Sequence, residues 1–302
     1  MPSKESEYLR DLYVTWTERM AANPAMTLAD VRGILEEWEK PTIEPEDVTY
    51  KADKLGGVPA IWAYPKNCDR AKVLLFYHGG GFAGGSSSSH RKLAGHLAKA
   101  LGVSAVLLDY RRAPESPYPA QLEDAVSAYK ALLASGIKHS DICTVGDSAG
   151  GNLAVASVLK FRELGLELPR GVIAFSPWLD MEMETPGNTL DTNAAKDALA
   201  SRQILTHMRD MFLGGPGPNS RNPLANPLYG DFKGFPPLYI NAGGDEALLD
   251  DAVRLHDRAR KAGVKTELTV AEGMQHVYPL LAGRAREADE EIQRIAAWYR
   301  SL

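Results

Sequence analysis

Apolar side chains at Leu9, Leu12, Tyr13, Trp16 and Met20 recur at three- and four-residue intervals, which predicts a helix over residues 4–20. The pattern returns with Leu28, Val31, Leu35 and Trp38; Thr27 with Asp30 three residues on is an N-cap signal, and Pro41 closes the helix. Val48–Ala52 and Val58–Tyr64 then read as two strands of a hairpin around Leu55-Gly56-Gly57. From Lys72 onward strands and helices alternate. The predicted strands are Lys72–Tyr77, Val103–Asp109, Ile142–Asp147 and Gly171–Phe175, and the predicted helices Arg91–Leu101, Ala120–Leu133 and Asn152–Leu159. Uninterrupted apolar runs such as Val73-Leu74-Leu75-Phe76 belong to strands covered on both faces, so an α/β fold with a mainly parallel central sheet between helices is expected.

The alternation breaks between Trp178 and about Pro227. Met181 and Met183 lead to Pro186-Gly187, a helical stretch from Ala194 to Leu213, and then Gly214-Gly215-Pro216-Gly217-Pro218. So long an insertion between sheet strands is expected to carry structure of its own. Strand Leu238–Ala242, helix Asp250–Ala262, strand Thr266–Val270 and a helix from Arg284 to Tyr299 complete the chain. The expected division is a helical cap segment at 1–45, a first core part at 46–177, a cap insertion at 178–227 and a second core part at 228–302.

Composition narrows the function classes. With 302 residues, 44% hydrophobic, 24% charged and a net charge of −5, the chain offers no electrostatic case for nucleic acid or an anionic membrane. The charged N-terminus lacks the apolar core of a signal peptide, and no run is long enough to span a bilayer. Two cysteines, Cys68 and Cys143, suggest no disulfide framework, and a cytoplasmic location is expected. H-E-x-x-H, Walker and C-x-x-C patterns do not occur, so neither a metal nor a cofactor is called for.

The chemistry centres on Gly146-Asp147-Ser148-Ala149-Gly150, a G-x-S-x-G placed between a predicted strand and a predicted helix. Such a sharp turn lifts the serine hydroxyl clear at the positive end of a helix, the nucleophile elbow. A serine nucleophile needs a base oriented by an acid, in the chain order serine, acid, histidine. His207 falls in the insertion and His256 in mid-helix, both read as surface residues, whereas His276 follows the last strand and is the expected base. Asp245 directly follows strand Leu238–Ala242 and is the expected acid; Glu246, Asp250 and Asp251 are competitors, Asp250 the nearest of them. His78-Gly79-Gly80-Gly81 after strand Lys72–Tyr77 can offer backbone N–H groups to an oxyanion, with a third from Ala149. One rival competes: Gly79-x-Gly81-x-x-Gly84 with Asp109 also fits a dinucleotide-binding oxidoreductase. Against it, the run Ser86–Ser89 and His90 delays the next helix, and Ser148, Asp245 and His276 would be left idle.

Taken together, His78-Gly79-Gly80-Gly81-Phe82, Asp109-Tyr110-Arg111-Arg112-Ala113-Pro114-Glu115, Gly146–Gly151, Asp245 and His276 resemble the hormone-sensitive-lipase-like esterases of the α/β-hydrolase fold, over roughly residues 45–300. The resemblance implies a serine hydrolase with Ser148 as nucleophile, His276 as base, Asp245 as its partner, and an oxyanion hole of Gly80, Gly81 and Ala149. It also implies a cap, and homodimers through the last strand as a common assembly. One departure stands out: the family's acid motif often reads D-P-L, and here it is Asp245-Glu246-Ala247-Leu248. Some relatives lack the histidine and bind ligands without catalysis, a reading His276 opposes. Phe82, Trp178, Met208, Met211 and Phe212 offer apolar lining for substrate, or packing for the cap. Short- to medium-chain carboxylic esters are the expected substrates, with lactones as the alternative.

Overall fold

The structure, a computed structural model, describes residues 2–185, 187–215 and 218–302; the expectations placed on Pro186, Pro216 and Gly217 lie outside them. The chain opens with α1 (Glu7–Ala22) and α2 (Leu28–Leu35), the second begun by Thr27, whose side chain accepts from the Asp30 amide while Asp30 accepts from the Thr27 amide. The hairpin β1 (Val48–Leu55) and β2 (Val58–Pro65) follows, then β3 (Asp69–Tyr77), α3 (Ser87–Leu101), β4 (Val103–Leu108), α4 (Ala120–Ala134), β5 (Ile142–Asp147), α5 (Ala149–Glu163) and β6 (Gly171–Phe175). The segment after β6 carries α6 (Thr189–Thr192) and α7 (Arg202–Leu213), and the chain closes with β7 (Leu238–Gly243), α8 (Leu249–Lys261), β8 (Thr266–Ala271) and α9 (Arg286–Arg300).

Among the described residues eight strands form one sheet in the order β1-β2-β4-β3-β5-β6-β7-β8. β2 runs antiparallel to both of its neighbours and the remaining pairs are parallel. Alternate residues of a strand point to opposite faces, and both faces are covered here. Val73, Leu75 and Tyr77 of β3 join one apolar cluster with α4, α5 and α8; Leu74 and Phe76 join the other with α3 and α9. The two helical segments outside the sheet divide between these clusters. Leu9, Tyr13, Trp16, Leu35 and Trp38 pack on the α3/α9 side, and Leu190, Leu205 and Phe212 on the α5 side.

Two sequence expectations are corrected. Helix α3 begins at Ser87, not near Arg91, because the serine run is its first turn. Ser86 caps the Ser89 amide, Ser89 returns the bond, and Asp109 accepts both the amide and the hydroxyl of Ser87. The delayed helix therefore no longer argues against a dinucleotide site, but Asp109, the carboxylate such a site needs for ribose, is committed to α3. The expected helix from Ala194 also starts later, at Arg202. Asp197 diverts the chain: its Oδ1 accepts from the Leu199 and Ala200 amides and its Oδ2 from the Ala247 amide, local bonds that compete with helix.

Ser86 also donates to Glu36 at 2.6 Å, so it joins α3 to the N-terminal helices. Ser86→Ala is expected to lower the free energy of unfolding by about 1 kcal/mol, the usual worth of an N-cap, read as a reduced midpoint in chemical denaturation.

Candidate active site

The elbow is built by close approach. A Cβ on Gly146 would strike the Gly150 carbonyl, and one on Gly150 would strike the Tyr77 carbonyl, so β5 and α5 meet at this angle only through glycine. Ser148 between them has φ 54° and ψ −120°, a left-handed backbone rare outside glycine. Three bonds hold it there: its amide donates to the Phe175 carbonyl at 2.9 Å, and its carbonyl accepts from the amides of Trp178 at 3.0 Å and Asn152 at 3.1 Å.

Ser148 lines an apolar cavity of about 60 Å3 together with His276, Gly80, Gly81, Trp178 and Met208. These residues come from five separate stretches of chain, and all lie beyond the carboxyl ends of parallel strands, where open α/β sheets place their sites. Met208, from α7, sits so close over Gly81 that a Cβ there would run into its thioether. Ala149, whose amide is the third expected oxyanion donor, is the first residue of α5 and fully buried. Of the other expected lining residues, Phe82 and Phe212 are buried and stacked on one another at 3.8 Å between ring centres, behind the cavity wall. Met211 and the exposed His207 face an outer cavity of about 500 Å3 between α1, α2 and α7, which shares Met20, Val31, Leu35, Ile204 and Met208 with the inner one. His256 is half-buried on α8 beside Thr266.

Sequence and structure part at the carboxylate that faces His276. His276 Nδ1 lies 3.4 Å from Oε2 of Glu246, and both side chains are buried. Asp245 instead turns outward, with its carboxylate 3.9 Å from the Lys196 ammonium. The cause is local pairing. The Gly244 amide donates to the Ala271 carbonyl at the end of β8 and the Asp245 amide to the Met274 carbonyl in the loop beyond it, after which the chain turns Glu246 inward. Asp250, the nearest competitor, faces Arg254, and Asp251 accepts the amides of Leu179 and Asp180 at the start of the insertion. Burial pushes the Asp251 carboxyl up to about 7, and the two amides pull against it.

At 3.4 Å the Glu246–His276 contact is longer than an ideal N–H···O bond. Burial alone would lower the His276 pKa; the hydrogen bond and charge of Glu246, with the charges of Asp197 and Asp147 behind it, outweigh burial and hold it above the ordinary histidine value. His276 is fixed from several sides. Its carbonyl accepts from the Tyr13 hydroxyl at 3.0 Å, and the neighbouring Gln275 side chain bonds the Ala198 amide and the Lys196 carbonyl. Asn193 donates to the carbonyls of Gly244 and Glu246.

The glycine loop has its own scaffold. Asp147 Oδ1 accepts the Gly79 amide at 3.1 Å, and Oδ2 lies 3.2 Å from His90 Nε2. His78 is pushed down to about 4 by burial and by His90 beside it, so it stays neutral with Nδ1 2.7 Å from the Gly79 carbonyl. Asp147 thus joins the elbow to the loop that follows β3. Sequence reading passed over Asp147 and His90, since buried polar residues announce themselves only by whom they meet. Among the described residues no group of three or more metal-ligating side chains assembles.

Residues 74–280 match the α/β hydrolase fold family. The chain belongs to that family. An acetyl-hydrolase of Streptomyces hygroscopicus is 38% identical over 92% of this chain and 90% of its own length. The crystal structure of an esterase from the bacterial hormone-sensitive lipase family superposes with a TM-score of 0.92 at 38% identity, covering 100% of this chain and 99% of that one. EstE5, in a crystal soaked with p-nitrophenyl butyrate, gives 0.90 at 32% identity over 99% and 98%. The chain is accordingly a carboxylesterase-type hydrolase of the hormone-sensitive-lipase-like group. No helix among the described residues is long and apolar enough to cross a membrane.

The geometry separates the two candidate acids. Glu246→Gln is expected to lower kcat for an aryl ester by about 10³–10⁴, the scale on which triads suffer when the acid is neutralised. Asp245→Asn should keep activity within about threefold, the change fitting a half-buried, weakly paired charge turned away from His276.

Proposed function

We propose that this protein hydrolyses small carboxylic esters through an acyl-enzyme, with Ser148 as nucleophile, His276 as general base and Glu246 as the acid that orients it. Gly80, Gly81 and Ala149 supply the oxyanion donors, and the N-terminal helices with the insertion after Trp178 form a cap. One observation carries the reading: a strained serine and a histidine backed by a buried carboxylate open on the same apolar cavity.

In this scheme His276 takes the Ser148 proton as the hydroxyl oxygen bonds the ester carbonyl carbon, and the carbonyl electrons move onto oxygen. The oxyanion rests on the backbone amides at the glycine loop and the start of α5. Glu246 stabilises the imidazolium without itself being protonated. The imidazolium then protonates the departing alkoxide as its bond to carbon breaks. Water attacks the acyl-serine with the same assistance, and Ser148 regains its proton from His276.

The cavity also supports a size limit. About 60 Å3 at the nucleophile is far below the roughly 300–1,000 Å3 that encloses drug-sized ligands. An acyl group of a few carbons fits it, and a long chain would have to displace Met208 or Trp178. Relatives named acetyl-hydrolase and esterase accord with short acyl groups. The unpaired thiols of Cys68 and Cys143 fit a reducing cytoplasm.

Rates on p-nitrophenyl esters from acetate to decanoate, beside a panel of lactones, test the substrate. Acetate to butyrate should give the highest kcat/KM, and a lactone exceeding them would replace the linear-ester reading. Ser148→Ala should retain less than a hundredth of wild-type activity and lose labelling by a fluorophosphonate. Because the base must be neutral to act and its pKa is raised, kcat/KM should climb with pH along a limb lying above the ordinary histidine value of about 6.5. In Glu246→Gln the residual activity should show that limb at lower pH, since the charge that raised it is gone.

A further inference from the structure

Ser176, one residue past the end of β6, is completely buried and bonds to both catalytic loops at once. Its Oγ donates to Oε2 of Glu246 at 2.6 Å and accepts the amide of Val277 at 3.0 Å. Its own amide donates to the Asn241 carbonyl of β7 at 2.6 Å. The backbone reaches this position only with φ 42°, and Val277, the residue after the base, has φ 55°. For a β-branched side chain such a value is an outlier that surrounding contacts have to impose.

The hydroxyl geometry fixes the direction of these bonds. A serine hydroxyl has one proton and two lone pairs. The Val277 amide can only donate, so it occupies a lone pair and leaves the proton for the carboxylate. The 2.6 Å separation is that of an O–H donor to an ionised oxygen. It also falls on Oε2, the oxygen that faces His276 Nδ1. Glu246 and His276 stand on different loops, after β7 and after β8, and are themselves 3.4 Å apart. Ser176 joins the two.

Resting on the triad reading above, we infer that Ser176 is a positioning residue that sets the acid against the base by holding the Glu246 carboxylate and the Val277 amide on one oxygen. It does two things. It aims Oε2 at the imidazole, and it shares that oxygen with the Nδ1 proton, which moderates the pull of Glu246 on His276. The charged and titratable groups facing His276 are Glu246, Asp197 of the insertion, Asp147 at the end of β5 and the Tyr13 hydroxyl of α1. Among these the Ser176 hydroxyl bonds Glu246.

Ser176→Ala, assayed with p-nitrophenyl acetate, is expected to lower kcat by 10- to 100-fold with KM within twofold. The acidic limb of kcat should move to higher pH, because Oε2 no longer shares its charge with a hydroxyl proton. In a Glu246→Ala background the same change should cost less than threefold, since nothing remains for the hydroxyl to aim. A merely structural serine would give equal losses in both backgrounds and an unmoved limb, and that result would overturn the inference. Should the alanine variant fail to fold, Ser176→Cys keeps the volume and a weak donor; it is expected to lose less kcat with the limb moving the same way, and an unmoved limb would again overturn it. Fluorophosphonate labelling of the wild type keeps the two questions apart. A wild-type enzyme that is not labelled at Ser148 removes the triad reading itself, whereas a labelled enzyme with an indifferent Ser176 removes only this role.

Discussion

A left-handed serine between two glycines is a costly conformation, on the order of 1–3 kcal/mol for a non-glycine residue, and the centre of the sheet is arranged to impose it. The Ser148 amide is held by the end of β6 and its carbonyl by the chain that leaves β6, so the neighbouring strand clamps the elbow from both sides. Asn152, one turn into α5, donates to the carbonyls of Trp178 and Ala225 and so gathers both ends of the insertion at the same point. The parallel pairing of β3, β5, β6 and β7 is therefore more than a core. It fixes where the elbow, the glycine loop, Ser176 and the acid loop emerge relative to one another.

Around this frame the site accumulates buried charge, which needs partners. Glu246 has no exposed surface, and a bare carboxylate there would be strongly disfavoured. Its Oε2 is met by the Ser176 hydroxyl just past β6 and by the His276 imidazole in the loop after β8, so the charge is countered only when those loops are in place. Asp147 is in the same position, with the Gly79 amide and His90 as partners. Each carboxylate thereby ties two loops together: Glu246 the loops after β7 and β8, Asp147 the elbow and the glycine loop after β3. Countering a buried charge and positioning the loops around it are here one task.

The sheet was legible because its central strands β3 to β6 carry runs of adjacent apolar residues, and the elbow because glycine at close approach leaves a mark in the sequence. What escaped was decided by facing direction. Asp245 and Glu246 are adjacent carboxylates, and whether the chain turns one or the other inward depends on where the backbone past Gly243 meets the end of β8 and the loop after it, a property of two segments that neither displays alone. The departure of Asp245-Glu246-Ala247-Leu248 from D-P-L carried the hint, since a second acid stands where the related motif has proline. The start of α3 was misjudged for a comparable reason: serine is a poor helix former in mid-helix but a good one at the first turn, and Asp109, from the next strand, fixes which role it plays.

The insertion after β6 is bound to the catalytic loops more closely than its place outside the sheet requires. Asn193 holds the carbonyls of Gly244 and Glu246, Asp197 holds the Ala247 amide, and Gln275 beside the base holds the Lys196 and Ala198 backbone. On the other side Tyr13 from α1 reaches the carbonyl of His276, and the Trp38 indole donates to the Tyr13 hydroxyl. Glu246 and His276 are thus each gripped by a segment that also walls the cavity through Leu199, Ala200, Met20 or Trp38. A substrate that presses on those walls presses on the loops carrying Glu246 and His276. The cavity wall and the Glu246–His276 contact therefore share the same supports, and a substitution that widens the cavity from the 193–200 segment cannot leave that contact untouched, whereas one in α7, at Met208, bears on the glycine loop at Gly81 instead.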